Sequence, residues 1–266
     1  MDPQRSYSSN NGAVLSGFIN LLVIVIALVV IYYMYQFFFG TSMLNSVVIE
    51  SGKITANQGL KTYSKQAKIY EGGEYTVNLW VYISGWNYLQ GTPKHIFELG
   101  GTNFSSLLIA LGGYKNTLSV RVDAVDASGT ALGNIAGGLT SSQVAALFKP
   151  LSVNAPDTSK QCDIDEIDLQ RWIQLTVVLN GNVCDVYMDG KLVRSCVLPS
   201  YYRVDSTGQM VKVVDRGGFD GYVSQISTYN YALNPTSIYN MYMSGPSSAA
   251  SDAWSYFTSF FQKKQN

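Results

Sequence analysis

The hydrophobic pattern divides the chain into two regimes. Between residues 6 and 49 there is no Asp, Glu, Lys, Arg or His, and residues 13–39, AVLSGFINLLVIVIALVVIYYMYQFFF, are apolar on every helical face. A helix of that length is about 40 Å long, more than the roughly 30 Å of a bilayer's hydrocarbon core. Soluble helices keep one polar face, and a secretory signal has an apolar region of only about 7–15 residues with a small-residue cleavage site. The run ends instead in FFFG, after Tyr32, Tyr33 and Tyr35, aromatics of the kind that collect at a membrane–water interface. The stretch therefore reads as a retained single-pass anchor, with Phe18, Leu22, Ile26, Val30, Tyr33 and Phe37 facing lipid. Its orientation is undecided. Arg5 lies on one side and Lys53, Lys61, Lys65 and Lys68 on the other, too even a balance for the basic-residue rule.

Beyond the anchor the period changes to two. Residues 75–83, YTVNLWVYI, alternate around Val77, Leu79 and Val81 as a half-buried strand does. Residues 46–50, 66–70, 94–100, 106–113 and 117–125 read as further strands separated by Gly-containing breaks. Residues 127–159 have no sustained period and read as a long surface excursion, with one helical turn at 141–148. Residues 171–199 hold three strands and two tight turns, at Asn180-Gly181 and Asp189-Gly190, dipeptides suited to two-residue hairpin loops. With a regular two-residue turn at Asp189-Gly190, Val183 faces Cys196 and Cys184 faces Ser195, so Cys184 and Cys196 point to opposite sides of the sheet. Residues 217–233 supply the last strand, and Asn234-Pro235 begins a short helix. The pattern predicts an all-β fold, a two-sheet antiparallel jelly-roll sandwich preceded by one transmembrane helix. The domains expected are a disordered tail at 1–12, the anchor at 13–39, the sandwich at 40–246, and a linker with an amphipathic helix at 247–266 that presents Trp254, Phe257, Phe260 and Phe261 for docking.

Composition narrows the function. The 266 residues carry 18 basic and 18 acidic side chains, a net charge of zero that gives no electrostatic case for nucleic acid. Three cysteines are too few for a disulfide scaffold or a zinc site; one pair including Cys162 and three free thiols are both open. The single histidine, His95, reads as a rim or edge-strand residue rather than a base. Asn103-Phe104-Ser105 forms a glycosylation sequon. Trp80 and Trp172 read as core residues, whereas Trp86, Tyr88, Tyr201 and Tyr202 sit in loop-like stretches where exposed rings could stack on a glycan or a protein partner.

Three blocks, residues 74–86 (EYTVNLWVYISGW), 171–193 (RWIQLTVVLNGNVCDVYMDGKLV) and 217–242 (GGFDGYVSQISTYNYALNPTSIYNMY), resemble the concanavalin A-like jelly roll in its laminin-G-like branch. QCDIDEIDLQRW, KLVRSCVLP and WNYLQGTPKHIF also resemble versions found among the virion proteins of large, membrane-containing DNA viruses. That resemblance implies a non-enzymatic minor capsid protein at an inner virion membrane, its domain lying between membrane and capsid shell and touching other capsid or membrane proteins; the alternative is a membrane-displayed lectin. Glycosidases of the superfamily carry E-x-D-x-E on a strand. Here Glu166-Ile167-Asp168-Leu169-Gln170 places an amide where the acid/base should be, and an amide cannot donate and recover a proton. No cofactor is expected, apart from a Ca²⁺ option at Asp163, Asp165, Glu166 and Asp168 or at Asp123 and Asp126.

Overall fold

The computed structural model describes residues 11–39, 46–125, 131–132 and 162–246. The first unit is one helix, α1 (Asn11–Phe39), with no acidic residue in its first turn and no basic residue in its last. Phe18, Leu22, Ile26, Val30 and Tyr33 are all exposed, and Phe37 lies in the last turns of the helix backbone.

The second unit follows in chain order as β1 (Ser46–Glu50), β2 (Ile54–Thr55), β3 (Lys61–Tyr63), β4 (Glu74–Ile83), β5 (Lys94–Gly100), β6 (Ser105–Leu111), β7 (Leu118–Val122), β8 (Ala124–Val125), β9 (Ala131–Leu132), β10 (Trp172–Asn180), β11 (Val183–Met188), β12 (Lys191–Val197), β13 (Met210–Val213), β14 (Gly221–Tyr229) and α2 (Pro235–Ser244). One sheet runs β1-β14-β4-β10-β11-β12, with β2 also on β14; the other runs β3-β13-β5-β6-β7. β8 and β9 pair separately, and every pairing is antiparallel. This is an antiparallel jelly-roll sandwich, as the alternating pattern predicts.

Alternation decides what fills it. Tyr75, Val77, Leu79, Val81 and Ile83 of β4 join Leu175, Val177 and Leu179 of β10 on one inner face, and Phe97, Leu99, Leu107, Ile109, Val120 and Val122 form the other. Each fully buried Leu, Ile or Phe contributes about 1.5–3 kcal/mol. β4 is buried on both faces rather than half-buried. Its outward Thr76, Asn78 and Trp80 are covered too, because Trp80 stacks on Tyr242 of α2 with centroids 6.0 Å apart. Gln174 Nε2 donates to Asn78 Oδ1 at 2.9 Å and to the Ile238 carbonyl at 3.3 Å. α2 begins where the sequence places it: Asn234 Oδ1 accepts from Ser237 N at 2.8 Å, with Pro235 in the first turn.

Three details depart from the sequence reading. Residues 66–70 join no ladder; Ala67 and Ile69 fill the core, and Ala67 N donates to Thr228 Oγ1 at 2.9 Å. β13, which the reading passes over, is an interior strand between β3 and β5. The third concerns the cysteines. The β11–β12 turn has the expected two residues, Asp189 and Gly190, both at positive φ (50° and 73°). A bulge then leaves Val193 unpaired, so Val183 faces Val197 and Cys184 faces Cys196. One extra residue flips every later side chain of β12. Cys196 turns inward and is bonded to Cys162, with Cα atoms 5.9 Å apart, while Cys184 stays a buried free thiol. Burial pushes the Cys184 thiol up to about 12. The expected tail at 1–12 is cut short by α1, which already includes Asn11 and Gly12, and the expected excursion at 127–159 contains β9; the rest of both, with the turn at 141–148, Asp126, and the C-terminal residues Trp254, Phe257, Phe260 and Phe261, lies outside the described residues.

Candidate functional site

The loop aromatics fall at two ends of the sandwich. Trp86 and Tyr88 follow the last residue of β4, whereas Tyr201 packs on Gly72 and Gly181 beside its start. Ten strand residues separate these ends by about 30 Å, so the four aromatics do not form one site. Tyr202 is buried, its hydroxyl donating to the Tyr70 carbonyl at 2.9 Å, and it offers no ring to solvent. Burial first, with nearby Glu74, raises its phenol well above the ordinary value. Tyr201 is 61% exposed at that end, where Tyr70 (47%) is exposed too.

The Trp86 end is better organised. Trp86 is half-buried and packs against the core. The Lys94 ammonium lies 4.7 Å from its ring centroid and donates to the carbonyls of Leu89 (3.4 Å) and Gly113 (3.3 Å). One cation thereby ties the loop after β4 to the loop between β6 and β7, and burial lowers its pKa. The loops touch backbone to backbone. Gly91 N donates to the Gly113 carbonyl at 3.0 Å, and a Cβ on Gly113 would sit 2.8 Å from the Gly91 carbonyl carbon. On this base stand Tyr88 (36% exposed), Leu89 (37%) and Tyr114 (77%). Tyr114 escaped the sequence reading, although its setting in GGYKN marked it as a loop aromatic. The two tied loops thus form a small platform of three exposed apolar side chains.

A second cluster lies on the outward face of the five-stranded sheet. His95 and Glu98 are three residues apart and would face opposite ways on a regular strand. A bulge at Ile96 pairs His95 with Ala110 and Glu98 with Leu108, placing both on one face. His95 is therefore not a rim or edge residue: it is buried on an interior strand. Its Nδ1 accepts from Asp215 N at 3.1 Å, so the neutral ring carries its proton on Nε2 and donates it to Glu98 Oε2 at 3.2 Å. Glu98 also accepts from Ser105 Oγ, from Lys212 Nζ at 3.3 Å and from an Arg216 guanidinium nitrogen at 3.1 Å. Burial would raise the Glu98 pKa; the His95 contact, then Ser105 and Lys212, outweigh it and hold the carboxylate well below its ordinary value. Burial likewise holds His95 below its ordinary value, although Glu98 pulls the other way. Val214 and Arg216 adopt φ of 51° and 52°, rare for side chains of their size, and this strained loop delivers the Asp215 amide and the Arg216 guanidinium to the cluster. Both nitrogens of His95 are occupied and Ser105 is bonded to the carboxylate, so the three do not form a nucleophile–base pair.

Two of the acidic residues offered for Ca²⁺ are committed to arginines. Asp163 pairs with both guanidinium nitrogens of Arg121, and Asp168 pairs with Arg171 at 2.5 Å. Asp123 is buried with neither oxygen hydrogen-bonded among the described residues; Arg203 lies 3.6 Å away. Burial, partly offset by Arg203, pushes it up to about 6. Among the described residues no three His, Cys, Asp or Glu side chains converge as a metal site. Residues 166–170 form no strand: they are a loop entering β10, with Ile167 buried and Gln170 at φ 58°.

No protein-family profile and no curated protein matches the chain. Among solved structures it is similar to the receptor binding domain of botulinum neurotoxin D (12% identity, TM-score 0.46, covering 75% of this chain and 47% of that one). It is also similar to the botulinum neurotoxin serotype G binding domain (14%, 0.42, covering 75% and 46%). A third similar structure is the binding domain of Paraclostridial Mosquitocidal Protein 1 (15%, 0.40, covering 76% and 45%). The chain thus spans less than half the length of each of these structures.

Proposed function

We propose that the chain is a single-pass membrane protein whose sandwich, of the concanavalin A-like and laminin-G-like type, works by binding rather than by catalysis. The observation that carries this reading is α1. Its window Leu15–Met34 has no charged residue and none of it is buried in protein, a surface that lipid accepts and water does not. The non-enzymatic reading is supported by the commitment of His95, Glu98 and Ser105 to one another and by Gln170 standing in a loop. In its finer form the protein is a minor capsid protein that ties an inner virion membrane to the overlying shell, the sandwich contacting capsid or membrane proteins. The virion-like phrasing of residues 161–172 and 191–199 supports this form. Cross-linking intact particles through the sandwich lysines, followed by mass spectrometry, should yield links to shell proteins; links to none would refute it.

A second reading, a membrane-displayed lectin, rests on the Tyr88–Leu89–Tyr114 platform. A glycan screen of the folded chain, with and without Ca²⁺, tests it. Binding lost in Tyr88→Ala and Tyr114→Ala would favour the lectin, and a clean negative would end that reading.

A further inference from the structure

The membrane orientation, which the basic residues leave undecided, follows from the sandwich. Cys196 reaches the core face only because β12 leaves Val193 out of the ladder, and there it meets Cys162. A disulfide on a core face persists where the surroundings oxidise thiols and is rare where glutathione keeps them reduced. The third cysteine does not disturb it: Cys184 is buried, and as a thiol rather than a thiolate it is a poor attacker of the neighbouring bond.

On that side of a membrane a second feature gains a role. Asn103 and Phe104 of the Asn103-Phe104-Ser105 sequon lie in the turn between β5 and β6, where Asn103 is exposed, and Ser105 opens β6 as a buried residue. Among the described residues Asn103 Nδ2 donates one bond, to Thr207 Oγ1 at 3.2 Å, and a glycosylated amide nitrogen still has one hydrogen for it. Two amides of the turn are fixed by Asp205 Oδ2, Asn103 N at 2.6 Å and Phe104 N at 3.4 Å. A glycan there would stand at the end of β5 opposite Lys94, leaving the Tyr88–Leu89–Tyr114 platform uncovered.

We infer that the sandwich lies on the oxidising, translocated side of the membrane, with the segment before α1 on the reducing side, and that Asn103 is an N-glycan acceptor. This rests on the membrane-anchor reading above, and one experiment separates the two. The full chain, and its Asn103→Gln variant, are translated with sealed endoplasmic-reticulum microsomes and examined by endoglycosidase digestion, protease protection and alkaline carbonate extraction. The expected result is one endoglycosidase-sensitive mobility shift, absent in Asn103→Gln, on a chain that resists carbonate and whose sandwich survives protease. A carbonate-resistant chain that is unglycosylated and digested overturns the orientation and leaves the anchor standing. Protection without the shift overturns Asn103 as acceptor. A glycosylated chain released by carbonate overturns the anchor and leaves the orientation standing.

Discussion

Replacing Glu98 by Gln keeps the shape of the buried cluster and removes the carboxylate at its centre, leaving Asp215 4.0 Å from Arg216 at its margin. That central carboxylate, fully buried, accepts from His95, Ser105, Lys212 and Arg216, and the two cations are only 16% and 11% exposed. Hydrogen bonds to a charged group contribute about 1.5–3 kcal/mol each, but an amide oxygen keeps part of that and the lysine and arginine can turn partly to water. Breaking a buried charged pair by removing one partner costs about 3–5 kcal/mol, and we expect Glu98→Gln to fall in that range. For a domain of this size each kcal/mol moves Tm by about 2–4 °C, so the variant should melt roughly 6–20 °C below the parent. The assay is thermal unfolding of the detergent-solubilised chain, followed by tryptophan fluorescence. The pH dependence gives an independent check. Glu98 and His95 both titrate below their ordinary values of 4.5 and 6.5 in the folded chain, so the unfolded chain takes up protons first on acidification. Their contributions are complete above those values and are lost as pH falls, first through His95 and then, below 4.5, through Glu98. Glu98→Gln should flatten the acid limb below 4.5. A Tm loss under about 2 °C, or an acid limb unchanged from the parent, would refute the account of the cluster.

Asp123 behaves in the opposite sense. Raised to about 6 from 3.8, it favours the folded chain at acid pH and opposes it as pH rises through about 6, so Asp123→Asn should stabilise the protein at pH 7.5. Discounting for partial solvent screening, a gain of about 1–2 kcal/mol is expected in chemical denaturation, and a loss would count against the buried, unbonded carboxylate. Cys196→Ser opens a disulfide whose partners are 34 residues apart and should cost about 3–4 kcal/mol. Under denaturing, non-reducing conditions the parent should show one titratable thiol and the variant two; three thiols in the parent would remove the bond from the argument. Asn234→Ala removes the acceptor for Ser237 N and should lower stability by about 1 kcal/mol, read as a small drop in Tm.

The elements legible in the sequence were those whose signal is local. The uncharged run at 13–39 gives α1, the alternation at 75–83 gives β4, Asn180-Gly181 and Asp189-Gly190 mark the two hairpins, and Asn234-Pro235 starts α2. The burial of Asn78 and Trp80 was not legible, because it depends on α2 returning across β4 from some 150 residues later in the chain. The same holds for Tyr202, whose neighbours Gly72 and Tyr70 lie far back in sequence. The platform at the Trp86 end was half legible: Trp86 and Tyr88 announce a loop aromatic pair, but only the approach of the β6–β7 loop through Lys94 brings Tyr114 beside them.

What the sequence by itself determined is most of the strands and, where no residue leaves the ladder, which side chains alternate inward. What the tertiary structure decided is which face the chemistry occupies. Two single residues did this, Ile96 in β5 and Val193 in β12, each left out of a ladder. The first brings His95 onto the face of Glu98, and the second turns Cys196 toward Cys162. A strand's side chains alternate with a period of two, so one unpaired residue inverts all that follow it. Whether that residue is left out depends on the neighbouring strand's register and the packing beneath it, and neither is written in the local pattern.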